Sequence, residues 1–158
     1  ISRQFAPEYI MVNSLQNKLN DYEPIVLKGT TLVAQMIEIG KRQYILEQCL
    51  PKTQDTILMG YTGQQLKALK ENTGDIWTFL ASQNRLFSVD PTMANSILGE
   101  APYNDYFGED IPGNVGKYIG YTIVKSWMEQ QKGNAKNDLN ALLKRPAMDI
   151  FNHAKLDF

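Results

Sequence analysis

The stretch that most restricts how this chain can fold is PGNVGKYIGYTIVKSWM, residues Pro112 to Met128. From Val115 onward its spacing is helical, yet it carries Gly113, Gly116 and Gly120. A glycine inside a helix costs roughly 0.5–1 kcal/mol relative to alanine, so a compensating contact is required. Val115, Ile119, Ile123 and Trp127 recur every four residues, with Gly116, Gly120 and Val124 on the adjacent line and Tyr118 and Tyr121 beside them. Only Lys117, Lys125 and Ser126 are clearly polar, which predicts a buried central helix. The bare glycine track then lets a second backbone approach closely. A Gly-x-x-x-Gly pair also serves membrane helix dimers, but Lys117 and Lys125 interrupt this one.

The rest of the chain is also helical in its spacing and shows almost no alternating strand pattern. A first helix is predicted from Pro7 to Asn20, with Ile10, Val12, Leu15 and Leu19 as its apolar positions. A second runs from Thr31 to Leu50, lined by Leu32, Met36, Ile39 and Leu46, contains Gly40, and stops before Pro51. Thr53 to Gly60 reads as a loop. Thr62 with Gln65 three residues on is a capping box. Thr73-Gly74-Asp75 reads as a turn into a helix that continues through Leu80 toward Leu86. Asp90-Pro91 starts a short helix to Leu98. Gly99 to Pro112 is irregular, the central helix occupies Gly113 to Gln131, and two short helices follow near Lys136–Leu143 and Pro146–Lys155. The fold class is therefore all-α: one helical domain over residues 1–158, with seven or eight helices. No run of about 18 apolar residues is present. The chain opens on Ile1 and Ser2-Arg3-Gln4-Phe5, which reads as the C-terminal portion of a longer parent.

Composition narrows the function classes. A net charge of −1 with no basic stripe argues against nucleic-acid binding. Lys67 and Lys70 stand beside Glu71 and Asp75 as a mixed solvated face. Cys49 is the single cysteine, so no internal disulfide can form, and it reads as a half-buried helical thiol. His153 is the single histidine, so the chain lacks the two histidines of a helical zinc motif, and a Cys49–His153 pair has no third group to orient it. There is no phosphate-loop signature, and the free amides at Gly113 and Asn114 are generic helix-start geometry. Catalytic, cofactor and metal residues are therefore assigned to none. The remaining concentration of chemistry is the loop holding Glu100, Tyr103, Asp105, Tyr106, Phe107, Glu109 and Asp110. Paired acids there could work as acid and base or hold calcium, but the regular calcium-loop spacing is missing. Exposed tyrosines make contact anchors, so Tyr103, Tyr106, Phe107, Glu109 and Asp110 form the candidate interaction surface, with Gly113, Gly116 and Gly120 as structural glycines.

Several stretches, in order along nearly the whole chain, carry a family resemblance: FAPEYI (Phe5–Ile10), QMIEIGKRQYILEQCLP (Gln35–Pro51), MGYTGQQL (Met59–Leu66), Glu71-Asn72 with IWTFL (Ile76–Leu80), LFSVDP (Leu86–Pro91), APYNDYF (Ala101–Phe107) and the glycine-bearing Pro112–Met128 segment. Together they resemble the gliding-motility lipoprotein GldB family of Bacteroidetes. The resemblance implies an envelope lipoprotein outside the cytoplasm, tethered by a lipidated cysteine ahead of Ile1. It also implies a part in gliding and surface-secretion machinery, and distant kinship to helical zinc-peptidase-like proteins, hence a zincin-like helical subdomain.

Two positions depart from the family pattern. Ile39-Gly40 stands where relatives read Glu-Gly, with the acid one place earlier at Glu38 and so about 100° around the helix. Pro112-Gly113-Asn114 stands where they read Pro-Gly-Arg, which removes a bidentate anion contact. Both changes count against peptidase-like activity and leave the scaffold untouched. The leading expectation is a non-catalytic accessory or scaffold protein whose partners are other envelope proteins. It contacts no nucleic acid, meets the membrane only through a lipid anchor outside this chain, and needs no cofactor. The alternatives are a zinc-peptidase-like enzyme with ligands upstream of Ile1, and a helical module binding a small ligand in a cleft beside the glycine-lined helix.

Overall fold

The computed structural model describes residues 6–133 and 138–158. Among them are nine α-helices, one 3-10 segment and no strand, in one all-α body. Pro7 at the first position and Glu8 in the first turn start α1 (Pro7–Tyr22). The Thr31 hydroxyl accepts from the Ala34 amide at 3.3 Å and starts α2 (Leu32–Cys49). A five-residue helix, α3 (Asp55–Met59), occupies what reads as a loop in the sequence and ends on left-handed Gly60 at φ +75°. It is the helix beyond the expected seven or eight. Its signal is short, since Gln54 at its N-cap makes no side-chain cap.

The Thr62–Gln65 capping box forms and opens α4 (Gly63–Glu71). Asn72 joins it directly to α5 (Thr73–Ala81), so Thr73-Gly74 begin a helix rather than a turn. That helix stops at Ala81, short of Leu86. The 3-10 segment Ser82–Phe87 follows, broken by consecutive left-handed residues Gln83 (φ +52°) and Asn84 (φ +59°). Arg85 clamps this kink: Nη1 donates to Phe79 O (2.9 Å) and Ser82 Oγ (2.6 Å), Nη2 to Gln83 Oε1 (2.9 Å), and the guanidinium lies 3.9 Å over the Phe79 ring. Asp90 Oδ1 accepts from the Thr92 amide at 2.9 Å and starts α6 (Pro91–Leu98). Asn114 leads into α7 (Val115–Glu129). Two short helices close the chain, α8 (Leu139–Lys144) and α9 (Ala147–His153). Residues 136 and 137 of the helix expected near Lys136 lie outside the described residues.

Two helices, not one, form the centre. α2 packs along α7 more extensively than any other pair of elements, and α1, α3, α6, α8 and α9 also lean on α2. Val115, Ile119, Ile123 and Trp127 are all buried on α7; Leu32, Val33, Met36, Ile37, Ile45 and Leu46 are buried on α2, while Ile39 is only half-buried. The α2–α7 crossing is made at glycines. A Cβ on Gly120 would overlap the Met36 carbonyl, and one on Gly40 would overlap the Gly120 carbonyl. Gly116 lies against α6, where a Cβ would come 2.5 Å from Leu98 Cδ2 and 2.9 Å from Ile97 Cγ2. The track beside Gly116 and Gly120 is thus filled by neighbouring chain, which leaves no cleft there. Helix α1 is peripheral: Val12 is buried, Leu15 and Leu19 pack partly on the core, but Ile10 is exposed. No described helix is long and apolar enough to cross a membrane.

Candidate functional site

The irregular segment between α6 and α7 is a closed loop rather than a slack one. At its base the Gly113 amide donates to Ala101 O (3.1 Å) and the Asn114 amide to Gly99 O (2.9 Å). Gly113 is packed against the Ala101 backbone so closely that a Cβ would not fit. At its centre sits Asn104, 2% exposed. Its amide donates to Ile111 O (2.7 Å), its Nδ2 to Ser96 O (2.8 Å), and its Oδ1 accepts from the Tyr106 amide (2.9 Å). Its own carbonyl accepts from the Gly108 amide at 3.1 Å, a tight reversal that uses left-handed Gly108 at φ +87°. Buried Ile111 pins the return arm to the core. An asparagine followed two residues later by its own backbone acceptor is an Asx-turn pattern, so Asn104 was readable in APYNDYF, but its burial was not.

This frame separates the candidate residues into two groups. Tyr103 and Tyr106 are each 45% exposed. Phe107 turns inward and meets the Phe79 ring edge-on, with centroids 5.0 Å apart; Tyr106 also packs on Phe79, at 4.9 Å. Glu109 and Asp110 are exposed and instead line a polar groove of ≈ 490 Å³ with α4 residues that include Gln65, Glu71 and Asn72. The aromatic and acidic halves therefore stand on different neighbours.

The groups considered for chemistry lie apart. Cys49 is exposed at the end of α2, not half-buried. His153 is exposed on α9, with Nδ1 2.8 Å from Asp149 O. Among the described residues, no three His, Cys, Asp or Glu side chains gather as a metal ion would require. Lys67 and Lys70 are solvent-facing, and Lys67 lies 3.9 Å from Glu71.

Two buried cation sites escaped the sequence reading. Lys41 and Arg42 on α2 are 1% and 3% exposed. Lys41 Nζ donates to Glu38 Oε1 at 2.6 Å and to the Leu143 and Arg145 carbonyls at the end of α8; burial holds its pKa below the usual lysine value despite Glu38. Arg42 Nη1 donates to Glu38 Oε2 (3.1 Å) and Glu38 O (2.8 Å), and Nη2 to Glu23 O. Glu38, the displaced acid of the family pattern, is thus the carboxylate that neutralises this pair. At the start of α7, half-buried Lys117 donates to Met59 O and lies 4.7 Å from the centre of the Tyr61 ring; burial lowers its pKa too. Tyr61 donates to Asn114 O at 2.6 Å, and burial raises its hydroxyl pKa far above 10. Lys117 is therefore a tie between α3 and α7, not part of a solvated edge.

No curated protein and no solved structure gives a significant match to the chain. A family profile described as "Gliding motility protein GldB" does, over residues 1–157. With that match spanning a single all-helical body from its first helix to its last, the chain belongs to the GldB gliding-motility family.

Proposed function

We propose that this chain is a non-catalytic accessory or scaffold component of gliding-motility and surface-secretion machinery, held in the cell envelope and acting through protein contacts. Family membership supports a gliding-motility-related lipoprotein of the envelope. The scaffold role rests on one observation: a loop locked by the Asn104 hydrogen bonds holds Tyr103 and Tyr106 outward. Tyrosine offers a large, amphipathic contact area, and a rigid loop loses little freedom when a partner docks. Its partners are other envelope proteins.

The test is photocrosslinking in the native cell with a benzophenone amino acid at position 106, and at solvent-facing position 70 as control. Discrete protein adducts from 106 and none from 70 are expected. The same adducts from both positions, or none from 106, would refute the proposal.

A further inference from the structure

The loop between α6 and α7 concentrates negative charge. Residues 99–112 hold Glu100, Asp105, Glu109 and Asp110 and no lysine or arginine, while the remainder of the chain carries all 16 basic residues. All four carboxylates are exposed, and none has a Lys or Arg partner within 4 Å among the described residues. The cations nearby are already committed. Arg85, which sits on the aromatic group under Tyr106, is held by Phe79, Ser82 and Gln83. Lys67, the base lining the groove with Glu109 and Asp110, faces Glu71. The hydrogen bonds of Asn104 keep the loop from folding back to neutralise itself.

Resting on the protein-contact reading above, we propose that the Tyr103–Asp110 loop receives a Lys/Arg-rich segment of its protein partner. Carboxylates of one sign attract and orient a cationic partner and disfavour an acidic one. Exposed tyrosine faces add a second affinity for the same ions, since ammonium and guanidinium groups bind over aromatic rings. An anionic lipid surface is repelled by the same four acids, so the charge favours a protein occupant.

The test uses the folded protein and two synthetic peptides, one alternating Arg with Gly and Ser, the other with Glu in place of Arg. Amide shifts are followed by NMR. The Arg peptide is expected to shift Asp105, Tyr106, Glu109 and Asp110, and to weaken by roughly tenfold as salt shortens the Debye length from ~14 Å to ~6 Å. The Glu peptide should shift nothing. The triple variant D105N/E109Q/D110N, confirmed folded by its α7 amide spectrum, should lose about tenfold or more in affinity for the Arg peptide. Equal response to both peptides, or none, overturns the cationic-partner inference. If position 106 still crosslinks a protein in the cell, the contact role survives that failure. Identical shifts from calcium chloride alone, with displacement of the peptide, also overturn it by making the loop a small-cation site.

Discussion

Gly40 and Gly120 stand against each other where α2 crosses α7, so that the two backbones, not two side chains, make the contact. Neither glycine tolerates a Cβ, because what it would strike is the rigid Gly120 or Met36 carbonyl. Gly120→Ala is therefore expected to destabilise at or beyond the upper end of the ~1–3 kcal/mol overpacking range, despite alanine's better helix propensity. Gly116→Ala meets mainly the movable ends of Leu98 and Ile97 and should cost about 1 kcal/mol. Gly63→Ala, at the start of α4 with nothing within 4 Å, should be neutral or slightly stabilising. Urea denaturation of the three variants checks the order; a Gly120→Ala protein as stable as Gly63→Ala would contradict the crossing.

Glu38 is the single carboxylate paired with both buried cations of α2. Glu38→Gln keeps the shape and removes the charge, leaving Lys41 and Arg42 uncompensated. Breaking a buried ion pair from one side costs on the order of 3–5 kcal/mol. Partial exposure of Glu38 places the expected loss near the low end, about 3 kcal/mol. A change below the scatter of ordinary surface variants in the same melt would mean that water already neutralises the pair.

The legible part of the fold was the part written locally. Thr62–Gln65 and Asp90-Pro91 announce their helices because donor and acceptor lie within three residues of each other. The four-residue apolar line of α7 is periodic enough to mark burial on its own. What sequence could not reveal needed a distant partner. Gly40 reads as an unexplained helix glycine until Gly120 is beside it. Lys41 reads as solvated until the α8 carbonyls appear over it. The end of α5 was missed because its left-handed break uses Gln83 and Asn84, residues with no glycine or proline to mark it. The loop's residues were found as a group, but only Asn104's network and the Phe79 ring separate its aromatic half from its acidic half.

Tyr61 and Tyr121 make stability depend on alkaline pH. Burial raises both hydroxyl pKa values above the ordinary 10, and Glu47, which accepts from Tyr121, raises that one further. Above pH 10 the unfolded tyrosines ionise while the folded ones stay neutral, so the unfolded state gains and stability falls. Lys41 and Lys117 act in the opposite sense at lower pH: their depressed values let the folded state shed protons first, so stability rises as pH approaches 10.5 and then levels off. Denaturation midpoints are expected to climb or hold toward pH 10 and drop beyond it. Tyr61→Phe should flatten the drop; an unchanged slope in that variant would remove Tyr61 as its cause.

Asn104→Ala should loosen the loop without dismantling the core. It removes the bonds to Ser96 O and the Tyr106 amide. Leaving those groups unpaired costs about 1–3 kcal/mol. Hydrogen exchange should quicken at Tyr106 and Gly108 while the α7 amides keep their protection. Faster exchange throughout α7 would show that the loop and core unfold as one unit.

The most direct measurement of the central claim is activity in the native cell of the Tyr103→Ala/Tyr106→Ala protein, with its abundance measured in parallel. The account predicts wild-type abundance together with lost gliding or surface secretion. Full activity at wild-type abundance would contradict it.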